Sequence, residues 1–179
     1  EDVGGWGIQD NGARLGRPDG KFYSAVGVKV SVPKPGQREV TSWGQPMLEE
    51  VGQGVLGLLK ARGDDLYLIS TKSEPGNKTQ GRVLLAPSLQ ASRSNLEQAH
   101  GGTLPPRAEF ALEPGIQWVD FPKDGGRFFE SSNQAAVFEV DYFDPNSNER
   151  WFSRQELGEA LRQGACSTHL RELLALAFI

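Results

Sequence analysis

The chain has 179 residues, enough for one domain with a self-sufficient core. Apolar side chains make up 37% and charged ones 23%, an ordinary composition for a soluble globular protein that excludes wholesale disorder. The net charge of −4 comes with no basic block, which argues against nucleic acid as a partner, and no apolar run approaches bilayer-spanning length. The expectation is a cytoplasmic protein without membrane contact. The sequence opens at Glu1 with neither a methionine nor a charged-then-apolar leader, which leaves room for residues upstream.

Gly4 to Gly20 is rich in Gly, Asn and Asp and reads as a loop-dominated lead-in. Lys21 to Val32 alternates, with Val26, Val28, Val30 and Val32 on one face, which predicts a strand that Pro33 to Gln37 then breaks. The apolar runs Gly54–Lys60 and Leu66–Lys72 flank the turn Ala61–Asp65 and predict an antiparallel hairpin. Arg82 to Leu85 continues as a third strand, and Ala135 to Phe143 alternates again before the turn Asp144–Ser147. Helices come late. Ser153-Arg154-Gln155-Glu156 has capping-box spacing, with Leu157, Ala160 and Leu161 on one face behind it. After Gly164, Ser167 or Thr168 caps a second helix whose Leu170, Leu173, Leu174 and Ala177 share a face. The class is α+β, a mainly antiparallel sheet with helices packed on it, and residues 1–179 read as one domain.

The single cysteine, Cys166, rules out an internal disulfide and lies in a polar turn without catalytic partners, so it reads as an incidental small residue. Two histidines, His100 and His169, and one cysteine do not make a typical zinc site. Neither a metal nor another cofactor is expected.

Lys72-Ser73-Glu74-Pro75-Gly76-Asn77 is the densest polar string. Strand alternation puts Ser70 and Lys72 on one face, and Pro75-Gly76 forces a turn with Glu74 and Asn77 at its rim. Glu74 reads either as a general base beside a polarising Lys72 or as half of a solvated pair at a hairpin turn. Ser88-Leu89-Gln90-Ala91-Ser92-Arg93-Ser94-Asn95 offers donors and acceptors suited to sugar hydroxyls, and Ser92 or Ser94 also suits a helix cap. His100, before Gly101-Gly102, is placed for acid or base work or has no role. Arg127 reads as a phosphate clamp or a surface cation, and Trp43 with Gln45 as base contacts or, for the tryptophan, a core residue.

Together these segments resemble the NDP-hexose 2,3-dehydratases. The resemblance rests on Gly20-Lys21-Phe22-Tyr23 with Val26-Gly27, Trp43-Gly44-Gln45-Pro46, Gly54-Val55-Leu56-Gly57 and Lys72 to Asn77. It continues through Pro87 to Asn95, His100-Gly101-Gly102, and Arg127-Phe128 with Asn133, in the family's order. It implies a Nudix-like mixed sheet flanked by helices, one repeat of a two-repeat architecture, and a homodimer that restores the pair. It also implies cofactor-free loss of water from an NDP-4-keto-6-deoxyhexose in secondary-metabolite biosynthesis. Glu74 or His100 would be base or acid, Lys72 and Gln90 the enolate or hydroxyl partners, and Arg127 with Ser92 the diphosphate contacts. Trp43, Gln45, Asn77, Ser88, Asn95 and Asn133 complete the implied substrate-binding set. Departures from the family pattern at Arg17, Ser70-Thr71, Asn95-Leu96, Pro122-Lys123-Asp124 and Ser132–Ala135 keep two alternatives open: a repurposed lyase, isomerase or cyclase for a non-nucleotide intermediate, and a non-catalytic ligand-binding subunit.

Overall fold

The chain divides into two units, a first of Glu1–Gln53 with Pro122–Ser132 and a second of Gly54–Phe121 with Asn133–Ile179. The computed structural model describes residues 5–34, 36, 38–73, 83–99 and 101–178.

The first unit carries an antiparallel sheet in the order β1 (Gly7–Gln9), β2 (Arg14–Gly16), β3 (Tyr23–Ser31) and β4 (Ser42–Glu50). The lead-in expected to be loop therefore holds two short strands. A 3-10 turn at Asp10–Gly12 joins them, with Asp10 and Asn11 in the left-handed region that short polar side chains tolerate. The valine alternation forms β3 as predicted: Val26, Val28 and Val30 lie opposite Met47, Gln45 and Trp43 of β4. β4 itself was not anticipated, because Pro46 sits within it. Proline cannot donate to a ladder, but β4 is the sheet's edge, and Leu48, two residues on, turns its N–H outward to the Arg127 carbonyl. Pro46 shares that outward side, so no bond to β3 is lost.

In the second unit the expected hairpin is present as β5 (Gly54–Ala61) and β6 (Leu66–Ser73), with Gly63 supplying the positive φ of the turn. β7 (Val83–Ala86), β8 (Leu89–Ala91), β9 (Val119–Pro122), β10 (Ser132–Val140) and β11 (Glu149–Ser153) complete a sheet ordered β11-β6-β5-β10-β9, with β7 on β6 and β8 on β5. β10 starts and stops three residues earlier than its alternation suggests. It runs parallel to β5, from Asn133 opposite Gly54 to Val140 opposite Ala61, which makes the sheet mixed.

Four helices lie among the described residues of this unit: α1 (Arg93–Leu96), α2 (Ala108–Leu112), α3 (Arg154–Arg162) and α4 (Thr168–Ala177). The capping box forms as read: Ser153 Oγ accepts from the Glu156 N–H, and Glu156 accepts from the Ser153 N–H. Ser167 caps α4 through the Leu170 N–H. The five-residue α2 lacks the periodic length that a sequence pattern needs, and it was not foreseen.

β5 reads as a near-continuous apolar run because both faces of the sheet are covered. Leu56 and Leu58 join Tyr67, Ile69, Leu157, Leu170, Leu173 and Leu174 beneath α3 and α4. Leu59 and Ala61 turn the other way, to Leu68, Trp151, Phe110 and Phe138. Cys166 is buried in the first of these clusters, and burial pushes its thiol up. The fold is α+β. No helix among the described residues is long and apolar enough to cross a membrane.

Candidate functional site

The β5–β6 hairpin is paired only near its turn, at Leu59–Leu68 and Lys60–Tyr67. Beyond that point the strands part, and the chain from β7 to β8 enters between them. β7 takes the edge of β6 from Ser70–Ala86 to Ser73–Val83, and β8 takes the edge of β5 from Val55–Ala91 to Gly57–Leu89. Separated strands leave unpaired backbone groups at the fork, and a buried unpaired N–H or C=O is costly. Ser88 satisfies both: its hydroxyl accepts from the Leu59 N–H at 3.1 Å and donates to the Leu68 carbonyl at 2.5 Å. Its neighbour across the fork, Ser70, donates to the Pro87 carbonyl at 2.7 Å.

A cavity of about 190 Å³ opens beside this fork, lined by Ser70, Thr71, Lys72, Ala86, Pro87, Ser88, Gln90, Pro106, Asn148 and Glu149. β6 explains its chemistry. Leu66 and Leu68 face the aromatic layer, and the same face turns polar at Ser70 and Lys72, where the cavity begins. Across from them is Gln90, whose Oε1 is buried with no hydrogen-bond partner among the described residues. A buried amide oxygen left so costs about 1–3 kcal/mol, which makes it a point where a donor on a ligand is favoured.

Behind the wall stands an ion pair. Arg107 grips Glu149 with two bonds, Nε to Oε1 at 3.1 Å and Nη2 to Oε2 at 2.6 Å, and the Glu149 side chain is 1% exposed. The Asn146 N–H donates to Oε2 as well, at 3.0 Å. Burial alone would raise the Glu149 carboxyl; the guanidinium and the Asn146 N–H outweigh it and hold the group below the usual carboxylate range. Arg107 also lies 4.6 Å from the Phe143 ring centroid, and its backbone is left-handed at φ 63. Sequence reasoning missed this pair. The partners are 42 positions apart, and no spacing rule links an arginine after two prolines to a glutamate after a turn.

Of the residues singled out from the sequence, the structure brings Lys72, Ser88 and Gln90 to this one cavity. Ser88 shapes it while its hydroxyl serves the backbone. Ser92 caps the one-turn helix α1 by accepting from the Asn95 N–H at 3.2 Å, and it also bonds Ser94. Asn133 is buried at the start of β10, over Gly54, where a Cβ would meet its Oδ1 at 2.4 Å. The Gly-Val-Leu-Gly pattern thus has a packing cause, since a Cβ on Gly57 would meet Phe138 at 2.9 Å and Leu89 at 3.0 Å. Trp43, Gln45 and Arg127 belong to the first unit. There the indole N–H donates to Gln45 Oε1 at 2.7 Å, Gln45 Nε2 donates to the Gly126 carbonyl at 2.8 Å, and Arg127 is exposed. Glu74, Asn77 and His100 lie outside the described residues.

This arrangement stands on a sequence with recognisable relatives. The family described as NDP-hexose 2,3-dehydratase matches residues 1–176, and the chain belongs to it. It is 32% identical over 174 residues to a dTDP-4-dehydro-6-deoxy-alpha-D-glucopyranose 2,3-dehydratase of Saccharopolyspora spinosa, covering 92% of this chain and 34% of that protein. It is 31% identical to a protein of the same description from Streptomyces violaceoruber, over 97% of this chain and 40% of the relative. A third, from Amycolatopsis orientalis, is 30% identical over 78% of this chain and 31% of the relative. The chain spans roughly a third of the length of the curated relatives it matches.

Proposed function

We propose that the chain acts as one dehydratase-like, Nudix-like domain that removes water from an NDP-4-keto-6-deoxyhexose, with the reacting sugar in the cavity beside Lys72 and Gln90. The observation that carries this reading is the meeting, in one cavity, of a lysine and a glutamine whose buried Oε1 has no hydrogen-bond partner among the described residues, both within the motifs that carry the family resemblance. Family membership and three relatives with dehydratase descriptions support it.

The chemistry follows from the ketone. The C4 carbonyl acidifies the C3 proton, which a base removes, and the electron pair forms an enolate between C3 and C4. The enolate collapses to expel the C2 hydroxyl, which takes a proton and leaves as water. The resulting enol moves its O3 proton to C2 and gives a 3,4-diketone. Lys72 is the partner of the enolate oxygen, since a cation at a partly dry wall favours negative charge that develops during reaction, and Gln90 Oε1 accepts from a hydroxyl of the sugar, the departing one included. The base and the acid are drawn from Glu74 and His100, in either order. The same reading takes the protein to be a cytoplasmic homodimer, which gel filtration and light scattering test.

The decisive experiment offers dTDP-4-dehydro-6-deoxyglucose to the purified chain and follows dehydration by mass spectrometry. Lys72→Met is expected to lose turnover by about 10²–10³-fold, the scale of losing one preorganised donor, and Gln90→Leu by roughly tenfold, the scale of losing one hydrogen-bond acceptor. A folded sample that shows no thermal shift at millimolar sugar nucleotide and no loss of water from it would sink the proposal.

A further inference from the structure

Glu149 lines the cavity, but its side chain is turned into the wall and is 1% exposed, and its pair with Arg107 is built more heavily than a surface tie. The carboxylate is almost wholly enclosed and takes three donors, two of them from one guanidinium. Arg107 holds a left-handed backbone, which costs a non-glycine residue roughly 1–3 kcal/mol and persists only where its surroundings over-determine it. Replacing a buried ion pair by apolar groups is often neutral or stabilising, so stability alone does not account for keeping one.

What the pair holds still is the segment Asn146–Glu149. The Asn146 N–H is tied to Glu149, and the Glu149 N–H donates back to the Asn146 carbonyl at 2.9 Å, closing a rigid turn. From that turn the Asn148 carbonyl accepts two bonds from Thr71, from N–H at 3.0 Å and from Oγ1 at 3.3 Å. Thr71 is the residue between Ser70 and Lys72. The clamp therefore reaches the cavity in three links: Arg107 to Glu149, Glu149 through its turn to Asn148, and Asn148 to the backbone that carries Lys72. β11 stops pairing with β6 at Glu149–Ser70, so beyond Ser70 that edge of β6 is held by Asn148 instead of a strand.

We infer that Arg107 and Glu149 are positioning residues, a buried strut that fixes the Asn146–Glu149 turn and through it the end of β6 bearing Lys72. This rests on the function proposed above. The strut acts on the reacting geometry and touches no substrate, so its loss is felt in turnover more than in binding.

The test is steady-state kinetics with dTDP-4-dehydro-6-deoxyglucose, together with hydrogen exchange at the Thr71 amide. Arg107→Met/Glu149→Met removes both charges at once and leaves no buried ion unpaired. A second variant, Arg107→Lys, keeps the charge and loses the two-point grip. The double variant is expected to keep a cooperative melt, to exchange the Thr71 amide faster, and to lose about 10²-fold in kcat, as for a group displaced by about 1 Å, with KM little changed. Arg107→Lys is expected to fall between it and the wild type. Arg150→Ala, which breaks an exposed pair with Glu156, is the control and leaves kcat as it was. Wild-type kcat in folded samples of either strut variant overturns the inference while leaving the proposed function intact, as does a loss confined to KM. A wild-type chain that neither binds nor dehydrates the sugar nucleotide removes both.

Discussion

The two units hold themselves together by different means. In the second, Leu58, Leu59, Leu68, Leu157, Leu170 and Leu173 are completely buried, on both faces of one sheet. In the first, Met47 is the one buried large apolar side chain among the described residues, and Ile8, Leu15, Val40 and Val51 are exposed. Its four strands rely on backbone pairing and on polar ties such as Arg14 with Glu49 and Asp10, and Lys123 with Glu50. A pair near the surface contributes about 0–1 kcal/mol, and in a more enclosed one such as Lys123 with Glu50 desolvation offsets much of the attraction, whereas a buried leucine contributes about 1.5–3 kcal/mol. The second unit therefore sets the stability of the chain, and it is also where the rigid cavity lies, as accurate placement of reacting groups requires.

That contrast can be broken or sharpened. The largest effect is expected from Leu173→Ala, a loss of about 2–5 kcal/mol in urea unfolding for a fully buried leucine. Hydrogen exchange on the same protein should show β5 and β6 amides protected more than those of β3 and β4; equal protection would abolish the distinction. Next come two glycines with opposite outcomes. Gly57→Ala drives a methyl into Phe138 and Leu89 and is expected to cost about 1–3 kcal/mol. Gly27→Ala in β3 meets nothing within 4 Å and is expected to stabilise by roughly 0.5–1 kcal/mol.

Titration bears on the second unit from both ends. Glu149 is held below its ordinary 4.5, so its contribution is complete above that value and is withdrawn as pH falls through the folded value. Tyr67 is pushed up to about 12, first by burial and then by its bond to Asp65, so its contribution is complete below 10 and lost as pH rises toward 12. Chemical denaturation across pH should show both limbs, and Arg107→Met/Glu149→Met should flatten the acid one. The smallest effect is Ser153→Ala, about 1 kcal/mol from a lost cap, read as a shift of the urea midpoint.

What could be read from the sequence follows the same division. The β5–β6 hairpin, the capping box at Ser153 and the leucine spacing of α4 were legible because each is a local pattern that one buried face enforces. β4 was hidden by Pro46, and its edge position becomes visible only with the strand order in hand. β1 and β2 are too short and too polar to alternate. The parallel pairing of β10 with β5 joins segments nearly 80 positions apart, and the Arg107–Glu149 strut joins two turns. Such contacts leave no periodicity. Lys72 and Gln90 were found from the chemistry of their motifs, and the fork that brings them to one cavity was not.

The fork has a further consequence, for the lengths the chain can tolerate. Ser88 fits between the Leu59 N–H and the Leu68 carbonyl because it alone, among Pro87, Ser88 and Leu89, has a side chain that both accepts and donates. With β7 held in register, a one-residue insertion or deletion between Ala86 and Ser88 would bring a proline or a leucine to that point, and strand alternation would turn Gln90 to the opposite face. The hydroxyl thus works as an index mark. It fixes where counting begins on two strands at once, so the spacing from Ser88 to Gln90 is set by the frame of the sheet before any substrate enters.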